Sequence, residues 1–106
     1  GTGEESRDLL YIEDFISFVE AALGKQESNY ELYNVGLGEA IKVKHLVSKV
    51  IQCSGRELEI KHDLTKPTVP TSLFLDCSKA KKELGWSPKH SLEQGLTKTL
   101  EWYRNE

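Results

Sequence analysis

Two glycines one residue apart, Gly36 and Gly38 in "YNVGLGEAI", follow a β-like run and precede a helix-like pattern. A strand, a Gly-x-Gly turn and a helix is how a dinucleotide site begins, because such glycines let backbone amides approach a pyrophosphate. The third small residue of that fingerprint is Ile41 here, and its branched side chain would hold helix and strand apart. Helical periodicity also starts only at Val43, too late to aim a helix N-terminus at a phosphate beside Gly38. Glu57 and Glu59 lie about where a ribose-binding acid is expected, but they do not replace the missing glycine. The spacing predicts an ordinary turn.

Two cations are the next candidates. Arg7 stands in "ESRDLLYI" after a glycine-rich lead-in. It reads either as half of a local pair with Asp8 or as a planar fork aimed at phosphate or carboxylate oxygens. Lys66 lies in "DLTKPTVPTS", where Pro67 and Pro70 enforce an extended backbone among Thr65, Thr68, Thr71 and Ser72. A stiff, hydroxyl-rich loop with a cation can hold a polar ligand, and it can equally be a connector. His45, His62 and His90 have neither metal-site nor nucleophile–base spacing and read as surface or packing residues. No tyrosine is followed four residues later by lysine, so the Tyr-x-x-x-Lys pair of short-chain dehydrogenase chemistry is not here.

The elements that would position these groups can be read in turn. "RDLLYI" is β-compatible, and "EDFISFVEAALG" carries Ile12, Phe15, Ile16, Val19, Ala22 and Leu23 on one helical stripe, with Gly24 placed to end it. "YELYNV" reads as a strand, "AIKV" as a short strand, and Val43 to Ile51 as a helix stopping at Gly55. "ELEIKH" alternates like a half-buried strand. "SKAKKELG" predicts a short helix ended by Gly85, with Lys79, Lys81 and Lys82 on a solvated face. Ser91 and Gln94 form a capping box for a last helix, where Gly95 points to close packing.

Bulk properties exclude some functions. The 106 residues fit one small domain or a piece of a larger one. A net charge of −3 gives no basic field for nucleic acid or an acidic membrane, and no apolar run approaches a membrane span. Cys53 and Cys77 have no ligand spacing and read as reduced thiols of a cytoplasmic protein. There is no methionine, even at position 1, which leads us to expect a segment of a longer polypeptide.

Taken in order, "GTGEESRDLLYIEDF", "YNVGLGEAIKVKHLV" and "TKPTVPTSLFLDCSKAKKELGWSPKHSLEQGLTKTLEWY" resemble the C-terminal part of extended short-chain dehydrogenase/reductases. These are the nucleotide-sugar epimerases, dehydratases and reductases, and the likeness covers essentially all 106 residues. The resemblance implies an α/β enzyme of which residues 1–106 are a single C-terminal substrate-binding domain or fragment. In isolation that piece is α+β, with about four helices and short strands, lacking the Rossmann half. It further implies that Arg7 contacts the diphosphate of a nucleoside-diphosphate sugar and that Lys66-Pro67 matches a basic residue of the same site. Relatives commonly carry an acidic residue near Val69 and an arginine near Thr71 or Ser72, and neither is present here. The contacts of that loop then fall to the hydroxyls of Thr68, Thr71 and Ser72 and to backbone amides.

NAD or NADP is expected in the parent enzyme, a homodimer, and no cofactor on this chain alone, which should be inactive. A second expectation is a stand-alone, non-catalytic interaction module of the same family, binding a partner through the apolar surface that the missing half normally covers. A third is an excised piece that dimerises through that surface.

Overall fold

The computed structural model describes residues 1–105. Two short strands and four helices follow one another: β1 (Ser6–Arg7), α1 (Ile12–Lys25), β2 (Ile41–Lys42), α2 (Val43–Ser54), α3 (Ser78–Leu84) and α4 (Leu92–Arg104). This matches the expected α+β piece of four helices with short strands. β1 pairs antiparallel with β2, Ser6 opposite Lys42 and Arg7 opposite Ile41. On its other side Ser6 forms a parallel bridge to Ser72, with its amide donating to the Thr71 carbonyl at 2.8 Å.

The helices pair as α1 on α3 and α2 on α4. α2 stops where expected, because Gly55 adopts φ 71°, a left-handed conformation that costs glycine no Cβ clash. α4 starts on the expected capping box: the Gln94 amide donates to Ser91 Oγ at 3.2 Å and the Ser91 amide to Gln94 Oε1 at 2.8 Å. Gly95 lets α4 approach the Leu9–Tyr11 segment, since a Cβ there would lie 3.0 Å from Tyr11 Cβ.

The core is small. Ala80, Leu84 and Trp86 are buried, and Phe18, Ala21, Ala22, Tyr33 and Val35 pack against them. Phe18 meets the rings of Trp86 and Tyr33 edge-on at 5.6 and 5.7 Å, a favoured aromatic geometry. Of the expected apolar stripe of α1 only Ala22 packs against this core: Ile12, Phe15, Ile16 and Val19 are exposed and Leu23 is 84% exposed. The inward face is instead Asp14, Phe18, Ala21 and Ala22.

Several expected elements differ. Gly24 does not end α1, which runs on to Lys25 and closes when the Gln26 amide donates to the Ala22 carbonyl at 3.0 Å. The extra residue is useful, because Lys25 Nζ donates to the last carbonyl of α3, at Leu84. Of the expected strand "RDLLYI" only its start is paired, and neither "YELYNV" nor "ELEIKH" is a strand. A strand pattern needs a neighbour to satisfy its backbone, and these segments have none among the described residues. No helix among the described residues is long and apolar enough to cross a membrane.

Candidate functional site

The glycine turn resolves first. The Asp8 carboxylate accepts from the amides of Leu37 (2.7 Å), Gly38 (2.9 Å) and Leu75 (3.0 Å). A Cβ on Gly36 would lie 2.7 Å from Asp8 Oδ2, so the glycine is required for a carboxylate of the protein itself to approach. Gly38, at φ 82°, turns the chain around the same group. Two of the amides that a dinucleotide pyrophosphate would need are thus committed to Asp8. The turn does not fit a cofactor.

Asp8 was not singled out by sequence reasoning. Its signal lay in position: it directly follows Arg7, and its carboxylate ties β1, the glycine turn and the 73–75 segment together. Arg7 therefore has no ion pair with Asp8. Its Nη1 donates instead to the Ser6 carbonyl at 2.9 Å and to Thr71 Oγ1. Among the described residues Arg7 has no carboxylate partner, so its charge is only partly engaged.

A cleft of about 370 Å³ opens between residues 2–5 and the loop 68–72, lined by Thr68, Pro70, Thr71 and Ser72 on the loop side. Backbone pairing of Ser6 with Thr71 and Ser72 fixes the loop beside β1, and the Thr2 amide donates to Thr68 Oγ1 at 2.8 Å. Arg7, Thr68, Thr71 and Ser72 are thereby gathered around one end of β1. Lys66 is not. It sits on an exposed turn whose amide donates to the Asp63 carbonyl at 3.2 Å, outside the cleft lining.

Of the two acids that line the cleft, Glu4 is neutralised, whereas Glu5 has a buried Oε2 with no hydrogen-bond partner among the described residues. Glu4 is gripped by Lys44 at 2.5 Å and Lys42 at 3.1 Å, and these hydrogen bonds, Lys44's first, bring its carboxyl down to about 2. An anion entering near Arg7 is repelled less by Glu4, already paired with two lysines, but still meets the Glu5 carboxylate, which has no ion-pair partner among the described residues.

A second missed residue lies on α1. Asp14, 1% exposed, accepts from the amides of Lys89 (3.1 Å) and His90 (3.0 Å) and lies 2.9 Å from His90 Nδ1. Its backbone carbonyl accepts from Trp86 Nε1 at 3.2 Å. First-turn acids are common on helices for the dipole alone, so only the shared line with Phe18 and Ala21 could have marked it as inward-facing. His90 is thus a packing histidine, as expected. Among the described residues no His, Cys, Asp and Glu cluster could hold a metal, and Cys53 and Cys77 are free thiols.

Comparison with known proteins agrees with this architecture. The family model for GDP-mannose 4,6 dehydratase matches residues 1–99. GDP-L-fucose synthase 1 of Arabidopsis thaliana is 34% identical over 97% of this chain and 31% of its own length. UDP-glucose 4-epimerase from Thermotoga maritima, solved with UDP-glucose, is 37% identical with a TM-score of 0.85, over 99% of this chain and 33% of that one. dTDP-glucose 4,6-dehydratase from Bacillus anthracis, solved with NAD, is 29% identical with a TM-score of 0.79, over all of this chain and 33% of that one. The chain spans about a third of the relatives it matches, in their C-terminal part. It belongs to the GDP-mannose 4,6 dehydratase family, among the nucleotide-sugar epimerases and dehydratases of the extended short-chain dehydrogenase/reductase fold.

Proposed function

We propose that residues 1–106 are the substrate-holding domain of an NAD(P)-dependent nucleotide-sugar epimerase, dehydratase or reductase. The observation that carries this reading is Arg7, a half-buried guanidinium without a carboxylate partner among the described residues, held by Thr71 beside a hydroxyl-lined cleft. In that role Arg7 neutralises the diphosphate, and the hydroxyls of Thr68, Thr71 and Ser72 donate to its oxygens. Lys66 adds longer-range attraction from its exposed turn. Gripping the diphosphate, remote from the reacting carbon, lets binding energy orient the sugar. The nicotinamide supplies hydride transfer when bound, and the turn around Gly36 and Gly38, committed to Asp8, is not its seat.

Titration of the chain with UDP, GDP and dTDP, followed by amide chemical shifts, tests the reading. Arg7 and the 68–72 loop should respond to at least one of them, without turnover of the corresponding sugar nucleotide. A silent loop with all three, or turnover by these residues alone, overturns it.

A further inference from the structure

Glu5 lines the cleft beside Arg7 and is left without a partner. Its Oε2 is buried and meets no hydrogen-bond donor among the described residues. The neighbouring acid, Glu4, takes both nearby cations, Lys42 and Lys44. Across the cleft, Thr68, Pro70, Thr71 and Ser72 bring neither a cation nor a second carboxylate. A buried carboxylate oxygen that has given up water and gained no donor is costly. The donor is therefore to be sought in what the cleft holds.

Position along the strand selects the donor. Glu5 continues β1 by one residue, its carbonyl accepting from the Val43 amide at 2.9 Å. Side chains two apart on an extended chain share a face and stand about 6 to 7 Å from one another, which sets Glu5 one step along from Arg7. An ionised carboxylate only accepts hydrogen bonds and repels phosphate oxygens, so it cannot share the diphosphate with Arg7. In a nucleoside diphosphate the next group along is the ribose. Its 2′- and 3′-hydroxyls are adjacent donors that match the two oxygens of one carboxylate. The base lies a ring further on, where uracil and thymine offer one N–H between two carbonyls that a carboxylate would repel. The last torsion of a glutamate side chain is broad, so a turn about it brings Oε2 to the cleft without moving the strand.

We infer that Glu5 accepts from the ribose 2′-hydroxyl, so that the site takes ribonucleoside-diphosphate sugars and rejects their 2′-deoxy counterparts. This rests on the reading of the Arg7 cleft as the diphosphate site and narrows it: UDP and GDP fit, and dTDP does not. Glu5 acts on specificity alone, since it touches the nucleoside, remote from the reacting carbon of the sugar. A site built to bind a hydroxyl rejects the analogue that lacks it, because its buried acceptor is then left unpaired.

The test is calorimetric titration of the chain with UDP and dUDP and with GDP and dGDP, each pair differing only in the 2′-hydroxyl. The ribonucleotide should bind at least about tenfold more tightly, the loss expected for one hydrogen bond to a charged group. In Glu5→Ala the preference should disappear, the deoxy form gaining affinity because a negative charge has left the cleft. Glu5→Gln, which keeps one acceptor oxygen, should retain part of the preference. Equal binding within both pairs by the unaltered chain, while the amides of Arg7 and the 68–72 loop respond, overturns the role of Glu5 and leaves the diphosphate reading standing. A preference that survives Glu5→Ala overturns it as well, by assigning the hydroxyl to another residue. So does a Glu5-dependent preference for GDP over UDP with no difference within the pairs, which would put the edge of the base at Glu5. Silence with all four nucleotides removes the diphosphate reading and this inference with it.

Discussion

Asp14 on α1 and His90 just before α4 meet at 2.9 Å, joining the first helix to the last across 76 residues of chain. Burial pushes the Asp14 carboxyl up, but hydrogen bonds from His90 and from the amides of Lys89 and His90 outweigh it, so the net direction is down. A carboxyl lowered in the folded state stabilises fully above its ordinary value of 3.8 and loses that contribution as pH falls through the folded value. Urea unfolding as a function of pH should therefore show stability dropping on the acid side. Asp14→Asn should cost about 2 to 3 kcal/mol at neutral pH and flatten that acid limb. A variant with an unchanged acid limb would remove Asp14 as its source.

The two glycines of the turn should differ in cost. Gly36→Ala places a methyl 2.7 Å from Asp8 Oδ2, so either the carboxylate or the turn must move, costing about 1 to 3 kcal/mol. Gly38→Ala meets nothing nearer than the Leu75 carbonyl at 3.8 Å, and its cost is the left-handed backbone alone, about 1 to 2 kcal/mol. The distinguishing measurement is the Leu75 amide shift: it should move in Gly36→Ala, where the Asp8 carboxylate is displaced, and stay in Gly38→Ala.

On α4, Ser91→Ala should cost about 1 kcal/mol by freeing the Gln94 amide from its cap. Gly95→Ala sets two effects against each other. Helix propensity favours alanine by about 1 kcal/mol, while the new methyl falls 3.0 Å from Tyr11 Cβ, on a side chain whose ring stacks edge-on with His90 at 4.9 Å. Because the atom met is a Cβ fixed to the backbone, the clash should win and thermal unfolding should come at lower temperature.

The parts legible in the sequence are those whose cause is local. The capping box at Ser91, the stops at Gly55 and Gly85 and the extended Pro67–Pro70 loop each depend on a few adjacent residues. What was not legible depends on distant partners. The stripe from Ile12 to Leu23 reads as core by its spacing, yet the inward face is set by Asp14, which meets Lys89 and His90 from far along the chain. "YELYNV" has the residues of a strand but no strand beside it. Arg7 and Thr71 were each readable as polar candidates, but their contact, 64 residues apart, comes from the bridge of Ser6 to Ser72. Lys66 has the same chemistry in sequence, and no such bridge holds it.

That difference sets how much each cation contributes to binding. If the cleft beside β1 holds a diphosphate, Arg7→Ala removes a charge-assisted, two-pronged contact from beside a cleft whose described lining holds no cation of its own. Affinity for the responding nucleoside diphosphate should fall by about 10- to 100-fold, the range of one such bond. Arg7→Lys should recover only part of it, because an ammonium keeps the charge but cannot bind Thr71 and two phosphate oxygens in one plane. Lys66→Ala should cost less than about threefold, and that small effect should vanish with added salt, as expected for an exposed charge acting through solvent. Isothermal titration of the three variants at low and high salt separates the cases. Equal losses at Arg7 and Lys66 would mean that the ligand lies over the exposed turn rather than in the cleft.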